Sequence, residues 1–422
     1  MSRTPNATVE RAIADAHRRE WAFVLAATVR VARDLDLAED CVQDAYATAL
    51  DAWARDGVPE RPGAWLTTTA RRKALDALRR GQTLRSKLPL LVETDEPREA
   101  DMDDPSDSAR GPVPDDRLRL IFTCCHPALS LEAQVALTLS LTCGVGTGDI
   151  ARAFLVPETT MAARLTRAKK KISAARIPYR VPQAHELPDR LDAVLTVIHL
   201  LYTTGHTAPS GERLVRGDLV ERALDLARML LALMPEEREV KGLLALLLVT
   251  DARRSARTDA QGRLLVLEDQ DRSAWDRAAI EEGHRLVVEA LKGGNPGRFA
   301  LQAAIAALHA AAPNYAETDW PQILALYDEL LRIWPSPVVA LNRAVAVAMV
   351  RGPEPALAEV EALERGGRLS GYRYLPATKA DLLRRLGRHA EAVLAYRAAL
   401  DLTDNGVERR FLSSRLAGSS GR

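Results

Sequence analysis

Aromatic side chains make up 5% of the 422 residues, and cysteine is rarer still, with four. Four thiols over this length do not build a disulfide-stapled secreted domain, and a reducing cytosol would keep them free. Long apolar runs are missing too. The longest aliphatic stretch, Leu243 to Val249, is bounded by Lys241 and Asp251, far short of the roughly 20 residues that span a bilayer. The start, Met1-Ser2-Arg3-Thr4-Pro5, leads into charged residues with no apolar signal core, so a cytoplasmic protein with no membrane partner is expected. Net charge is nearly absent at +1, from 58 Lys+Arg and 57 Asp+Glu. What remains is an ordinary globular composition, 47% hydrophobic, long enough for two to four domains at roughly 100–200 residues each.

The charges are balanced in sum but sorted along the chain. Residues 8–53 carry apolar side chains at helical spacing (Ile13, Trp21, Val24, Leu25, then Cys41, Ala45, Ala49, Trp53), broken at Asp34–Asp36, where Asp36 suits an N-cap. After the Gly57–Gly63 break, a third helix over 64–80 is expected, and seven Lys/Arg against one acid lie between Arg71 and Lys87. Between Glu93 and Asp116 stand ten Asp/Glu, two Arg and several prolines, a composition that cannot pack a core; 91–116 reads as a flexible acidic linker. Helical periodicity returns over 117–178. Seven basic residues and no acid lie between Arg164 and Arg180, and Pro178, Pro182 and Pro188 mark a second boundary. From 185 to 422 the chain is rich in Ala, Leu, Arg and Glu, and no alternating β-branched run reaches strand length anywhere. The expected fold class is all-α. Near the end, Tyr327 and Pro335, then Gly352, then Gly387, Ala392, Tyr396 and Ala399 fit a tetratricopeptide-like repeat in steps of 34 and 35 residues, with Leu357 at a position usually small.

Residues 147–172 read as a helix-turn-helix: a short helix from Asp149 to Phe154, a turn over Leu155–Pro157, and a second helix from Glu158 to Ile172. Ile150, Phe154, Met161, Leu165 and Ile172 fall inward, which leaves Thr159, Thr160, Ala163, Arg164 and Arg167 outward. Hydroxyls and arginines on an outward helix face suit a major groove, and the Lys169-Lys170-Lys171 tail suits phosphates. In the first half, Asp40, Gln43 and Asp44 recur at i, i+3 and i+4 and so share one helix side.

These segments carry a family resemblance. Ala38-Glu39-Asp40-Cys41-Val42-Gln43-Asp44-Ala45-Tyr46 resembles the clamp-binding helix of sigma-70 factors. Trp65-Leu66, Ala70-Arg71, Asp76 and Arg79-Arg80 are similar to the promoter-binding helix of their extracytoplasmic-function group, and Asp149-Ile150-Ala151, Thr160, Arg164-Leu165 and Arg167-Ala168 to its region 4. The resemblance departs at Leu155, Pro157 and Arg72, where that group usually has Gly, Ser and Asn. It implies a sigma factor with region 2 at 1–90 and region 4 at 117–178. The partners it implies are core RNA polymerase and promoter DNA. Asp40, Gln43, Asp44, Ala47 and Trp53 would meet the polymerase; Arg55, Arg61, Trp65, Arg71, Arg72, Arg79 and Arg80 the minus-10 element; and Glu158, Thr159, Thr160, Ala163, Arg164, Arg167, Lys169 and Lys170 the minus-35 element. Residues 185–422 are similar to the tetratricopeptide-like extension of one subgroup, which implies regulation in cis. The extension is expected to dock near the Cys124–Cys143 helices and to serve as a surface for a possible protein partner. The alternative is a helix-turn-helix regulator with a helical sensor that never replaces a sigma subunit.

No catalytic residue, metal or cofactor is expected. Cys124-Cys125-His126 with Cys143 lacks the spacing that lets paired thiolates face one zinc ion, and reads as buried packing. Gly144-Val145-Gly146-Thr147-Gly148 lacks a phosphate-loop lysine and follows a helix. The Asp269-Gln270-Asp271-Arg272 cluster beside Trp275 fits either a partner contact or a tie between helices.

Overall fold

The computed structural model describes residues 4–87, 116–154 and 156–420. Among these the chain is all-α, with strand structure limited to two two-residue segments. It divides into two compact units, 1–197 and 198–422, and the division falls within one helix. Most of the acidic segment 91–116 lies outside the described residues.

The first unit opens with α1 (Thr4–Ala32), α2 (Leu35–Asp56) and α3 (Pro62–Lys87). Arg33, at φ 53°, ends α1. The extended Asp34 then caps α2, its carboxylate accepting from the Leu37 nitrogen at 2.8 Å. The cap is therefore Asp34, not the Asp36 expected from sequence, because Asp36 already lies in the first helical turn. Along α2, Ala38, Cys41, Val42, Ala45, Tyr46, Ala49 and Trp53 form one buried stripe. Leu66, Ala70 and Ala74 bring α3 close to α1 and α2.

Next come α4 (Asp116–Cys124), α5 (Leu131–Leu137) with a π-helical continuation over Thr138–Thr142, α6 (Thr147–Ala153) and α7 (Glu158–Ala174). Buried Gln134 donates to the carbonyls of His126 and Leu129 at 3.0 and 3.1 Å and so closes the α4–α5 turn. The three-helix portion and this second portion pack together. The Trp21 indole donates to the Leu141 carbonyl at 3.0 Å, the Tyr179 hydroxyl to the Ala26 carbonyl at 3.0 Å, and Arg30 lies 3.7 Å from Asp116. Sequence periodicity could not show this union. Every one of these bonds joins residues more than 80 positions apart, and a linker of acids had suggested independent modules.

From α8 (Leu187–His206) the second unit continues through α9 (Gly217–Leu233), α10 (Arg238–Asp251), α11 (Arg277–Leu291), α12 (Arg298–Ala311), α13 (Trp320–Ile333), α14 (Pro337–Val350), α15 (Pro353–Arg365), α16 (Tyr374–Arg385), α17 (His389–Asp401) and α18 (Gly406–Ser420). From α9 onward each helix packs on its sequence neighbour, and α10 also packs closely on α12. The α10–α12 approach needs glycine: a Cβ at Gly242 would sit 2.6 Å from the Ala300 nitrogen. One apolar core runs from Leu301 and Ile305 through Val347, Val360 and Leu383 to Tyr396 and Leu412. Gly352 and Gly387, 35 positions apart, both hold turns at positive φ, 93° and 75°, and Leu357, Ala392, Tyr396 and Ala399 are all buried. The unit also closes on itself. β1 (Ser210–Gly211) pairs in parallel with β2 (Asp404–Asn405), and fully buried Asn405 donates to the carbonyls of Ala208 and Arg213 at 3.1 and 2.8 Å. No described helix is long and apolar enough to cross a membrane.

Candidate functional site

The stripe that buries α2 leaves the opposite side of the same helix in solvent. Asp40, Gln43, Asp44 and Ala47 are all exposed there, at the i, i+3, i+4, i+7 spacing of a single face. The Asp44 carboxylate lies 3.9 Å from Lys73, a long contact. Trp53 does not join this face. It is 2% exposed and meets Trp65 edge-on, with ring centroids 5.7 Å apart. The expectation that Trp53 touches the polymerase is corrected: its position falls on the apolar stripe, so the indole belongs to the core.

The basic residues around α3 divide by surroundings. Arg61, Arg72, Arg79 and Arg80 are exposed, and Arg79 lies 3.7 Å from Asp76. Arg55 is exposed but folds back onto its neighbour Asp56 at 2.8 Å. Half-buried Arg71 donates to the Ala27 carbonyl of α1 at 3.3 Å, which ties helices together. Trp65 is half-buried, capping the Trp53 ring.

In the second portion, α6 and α7 form a helix-turn-helix. Ile150 and Met161 are fully buried and Leu165, Ala168 and Ile172 nearly so, while Phe154, expected inside, is only half-buried. Pro157 is the N-cap of α7: its backbone is extended there and its carbonyl accepts from the Met161 nitrogen at 3.1 Å. Leu155 lies outside the described residues. Glu158, Thr159, Ala163, Arg167 and Lys170 are exposed along α7, and Thr160 and Arg164 are half-buried.

Lys169 departs from the expected DNA-facing role. Its ammonium lies 2.6 Å from Glu39 and 2.8 Å from Asp36, both on α2, and its side chain is 13% exposed. Burial disfavours this ammonium, but the hydrogen bonds to Asp36 and Glu39 outweigh it and hold its pKa above the ordinary lysine value. The face expected to read DNA is thus joined to the first portion by a charge pair, beside the strip that carries Asp40 and Gln43.

The four cysteines are buried and form no disulfide. Burial pushes the Cys125 thiol up to about 12, and its sulfur sits 3.5 Å from the Thr138 hydroxyl, the setting of packing side chains rather than of reactive thiolates. The Asp269–Trp275 cluster resolves as a tie within the second unit. Arg272 lies over the Trp275 ring and donates to the carbonyls of His309 and Ala312 at 2.6 and 2.7 Å, and Asp271 caps the turn at the Ser273 nitrogen.

Comparison with known proteins agrees with this geometry. Residues 16–83 match sigma-70 region 2, residues 119–172 match sigma-70 region 4, and residues 190–291 match a family of unknown function, DUF6596. An uncharacterized protein of Rhizobium meliloti is 45% identical over 395 residues, which cover 93% of this chain and 92% of that protein. No solved structure matches at a significant level. The chain belongs to one family with the Rhizobium protein. Its region 2 and region 4 domains mark it as a sigma factor involved in transcription initiation, a class whose members bind core RNA polymerase and promoter DNA.

Proposed function

We propose that the chain is a sigma factor of the extracytoplasmic-function type whose regions 2 and 4 rest in a closed arrangement, and whose helical extension regulates it in cis from within the cytoplasm. The observation that carries this reading is Lys169 of α7 held by Asp36 and Glu39 of α2. The minus-10 and minus-35 elements lie roughly 25 base pairs apart, about 85 Å at roughly 3.4 Å per step. Two small domains in direct contact cannot span that distance, so the closed form must open before both elements are read.

In the open form Asp40, Gln43, Asp44 and Ala47 dock on the polymerase clamp, where acids complement a basic partner. Arg61, Trp65, Arg72, Arg79 and Arg80 hold the minus-10 strand, with Trp65 available for stacking on an unpaired base. Arg71 and Arg55 act at that edge only after giving up the Ala27 and Asp56 contacts. Thr159, Thr160, Ala163, Arg164 and Arg167 read minus-35 bases, Glu158 and Lys170 flank them, and Lys169 becomes available for a phosphate. The paired glycine turns at 352 and 387 support a tetratricopeptide-like reading of α12 to α17, a scaffold that presents a surface to a regulator.

Run-off transcription with core polymerase on the promoter of its own operon tests this. A promoter-specific transcript is expected, and Ala392→Trp, which places a bulky ring at a fully buried position of α17, should change its yield. No transcript would reject the sigma assignment in favour of a regulator that acts without replacing a sigma subunit. A transcript indifferent to Ala392→Trp and to truncation after Pro182 would make the extension passive.

A further inference from the structure

The second unit holds a cavity of about 380 Å³ between α10, α12, α13 and α14, within the size range of small-molecule sites. Arg253, just past the end of α10, lines it. The other arginines nearby each have a partner, although Arg272 bonds through Nη1 alone and its buried Nη2 has none. Arg254 pairs with Asp251 at 2.6 Å, Arg257 donates to the His206 carbonyl and to the Thr207 hydroxyl, and Arg272 donates to the carbonyls of His309 and Ala312. The Arg253 guanidinium makes no hydrogen bond or ion pair among the described residues, while its backbone carbonyl accepts from the Ala256 nitrogen at 3.0 Å. No carboxylate acts on it: burial lowers its pKa, the Tyr202 hydroxyl opposes that, and Arg272 adds to it. Arg253 is half-buried, and a guanidinium partly withdrawn from water with no anion beside it carries a cost that a bound anion would offset.

The rest of the lining suits a ligand that would repay this cost. The Tyr327 hydroxyl makes no hydrogen bond among the described residues, and burial pushes its pKa up to about 12, so it is a neutral donor. Gln302 and Asn342 bring side-chain amides, and His309 stays neutral, its pKa lowered to about 4 by burial and by Arg253 and Arg272. Val249, Ile305 and Trp275 supply apolar wall. A second recess of about 600 Å³ is lined by Asp251, Arg254 and Arg257, whose charges are already engaged.

We propose that this cavity binds a small molecule bearing one oxyanion, a carboxylate or phosphate, on an apolar body, with Arg253 holding the anion and Tyr327 donating to it. The proposal does not depend on the sigma assignment, since binding is read without polymerase or DNA. Titration calorimetry of the full chain with benzoate and, separately, with inorganic phosphate tests it. One saturable site per chain is expected for at least one probe, and which probe binds tells a carboxylate site from a phosphate site. Arg253→Met should weaken that binding about tenfold or more, and Tyr327→Phe, which keeps the ring and the fold, by a few-fold. Without ligand, Arg253→Met should melt at the wild-type temperature or above, because it removes an unpaired charge; a purely structural arginine would do the opposite. Absence of saturable binding for both probes, binding unchanged in both variants, or a lowered melting temperature in Arg253→Met would overturn the proposal.

Discussion

Lys169 Nζ lies 2.6 Å from the Glu39 carboxylate, and the two side chains are 13% and 16% exposed. A pair so shielded is screened little by salt, and it joins a helix of region 4 to a helix of region 2. While Asp36 and Glu39 both hold this ammonium, its charge is already balanced and its side chain is mostly shielded, which leaves little of it for a DNA phosphate.

The first prediction separates those two roles. Asp36→Asn with Glu39→Gln releases Lys169 and leaves every DNA-facing cation in place. If the contact restrains opening with about 1–2 kcal/mol, promoter affinity of the double variant rises about five- to thirtyfold, read by gel shift at fixed salt. Unchanged affinity would mean that the pair is only a surface ornament of the closed form.

The clamp face is tested by charge reversal. Asp40→Lys with Asp44→Lys alters two exposed positions, so the melting temperature should hold while co-purification with core polymerase is lost. Trp53→Ala should do the reverse of a surface change and cost about 3–5 kcal/mol of stability, since Trp53 is a core side chain. Normal polymerase capture by the double lysine variant would refute the docking face.

On α7, Arg167 and Lys170 are both exposed but are assigned different tasks. Arg167→Ala should flatten discrimination among minus-35 variants by about 1–3 kcal/mol for the base it reads. Lys170→Ala should weaken all promoters alike and reduce the salt slope by about one. Identical sequence profiles for the two variants would erase the distinction.

Acid should destabilise the extension. His206 is 9% exposed, bonded to the Tyr202 hydroxyl at 3.1 Å, and burial, then Arg257, lower its pKa to about 2. The unfolded chain takes up the proton near the ordinary value of about 6.5, so the contribution is full above that pH and is lost as pH falls below it. Stability should drop about 1.4 kcal/mol per pH unit for this histidine, with His309 adding to the slope above its value of about 4. Urea melts between pH 7.5 and 5 measure it, and His206→Gln should remove one histidine's share of the slope.

How much of this was legible in the chain depended on range. The helix-turn-helix was readable because its signals are local: Ile150, Met161, Leu165 and Ile172 mark the inner face, and Pro157 marks the entry. The exposed strip of α2 followed from the same spacing. Trp53 was misplaced because position within a motif was weighed above the apolar stripe on which it falls. Lys169 sat in a run of three lysines, and nothing in the run distinguishes the one that meets a carboxylate 130 positions away. Arg253 was invisible for a similar reason, since neighbours in sequence cannot reveal a partner that is missing in space.

The parallel pairing of Ser210–Gly211 with Asp404–Asn405 changes what kind of object the extension is. Stacked helical repeats ordinarily behave as a spring with two free ends, and they fray from whichever end is weaker. Here the last helix is fastened to the segment after α8 through Asn405, so neither end is free. The loop of chain so closed is nearly 200 residues long, and a strain applied at one helix must be shared around the whole circuit. Fraying from either end of the unit therefore has to break the Asn405 hydrogen bonds first.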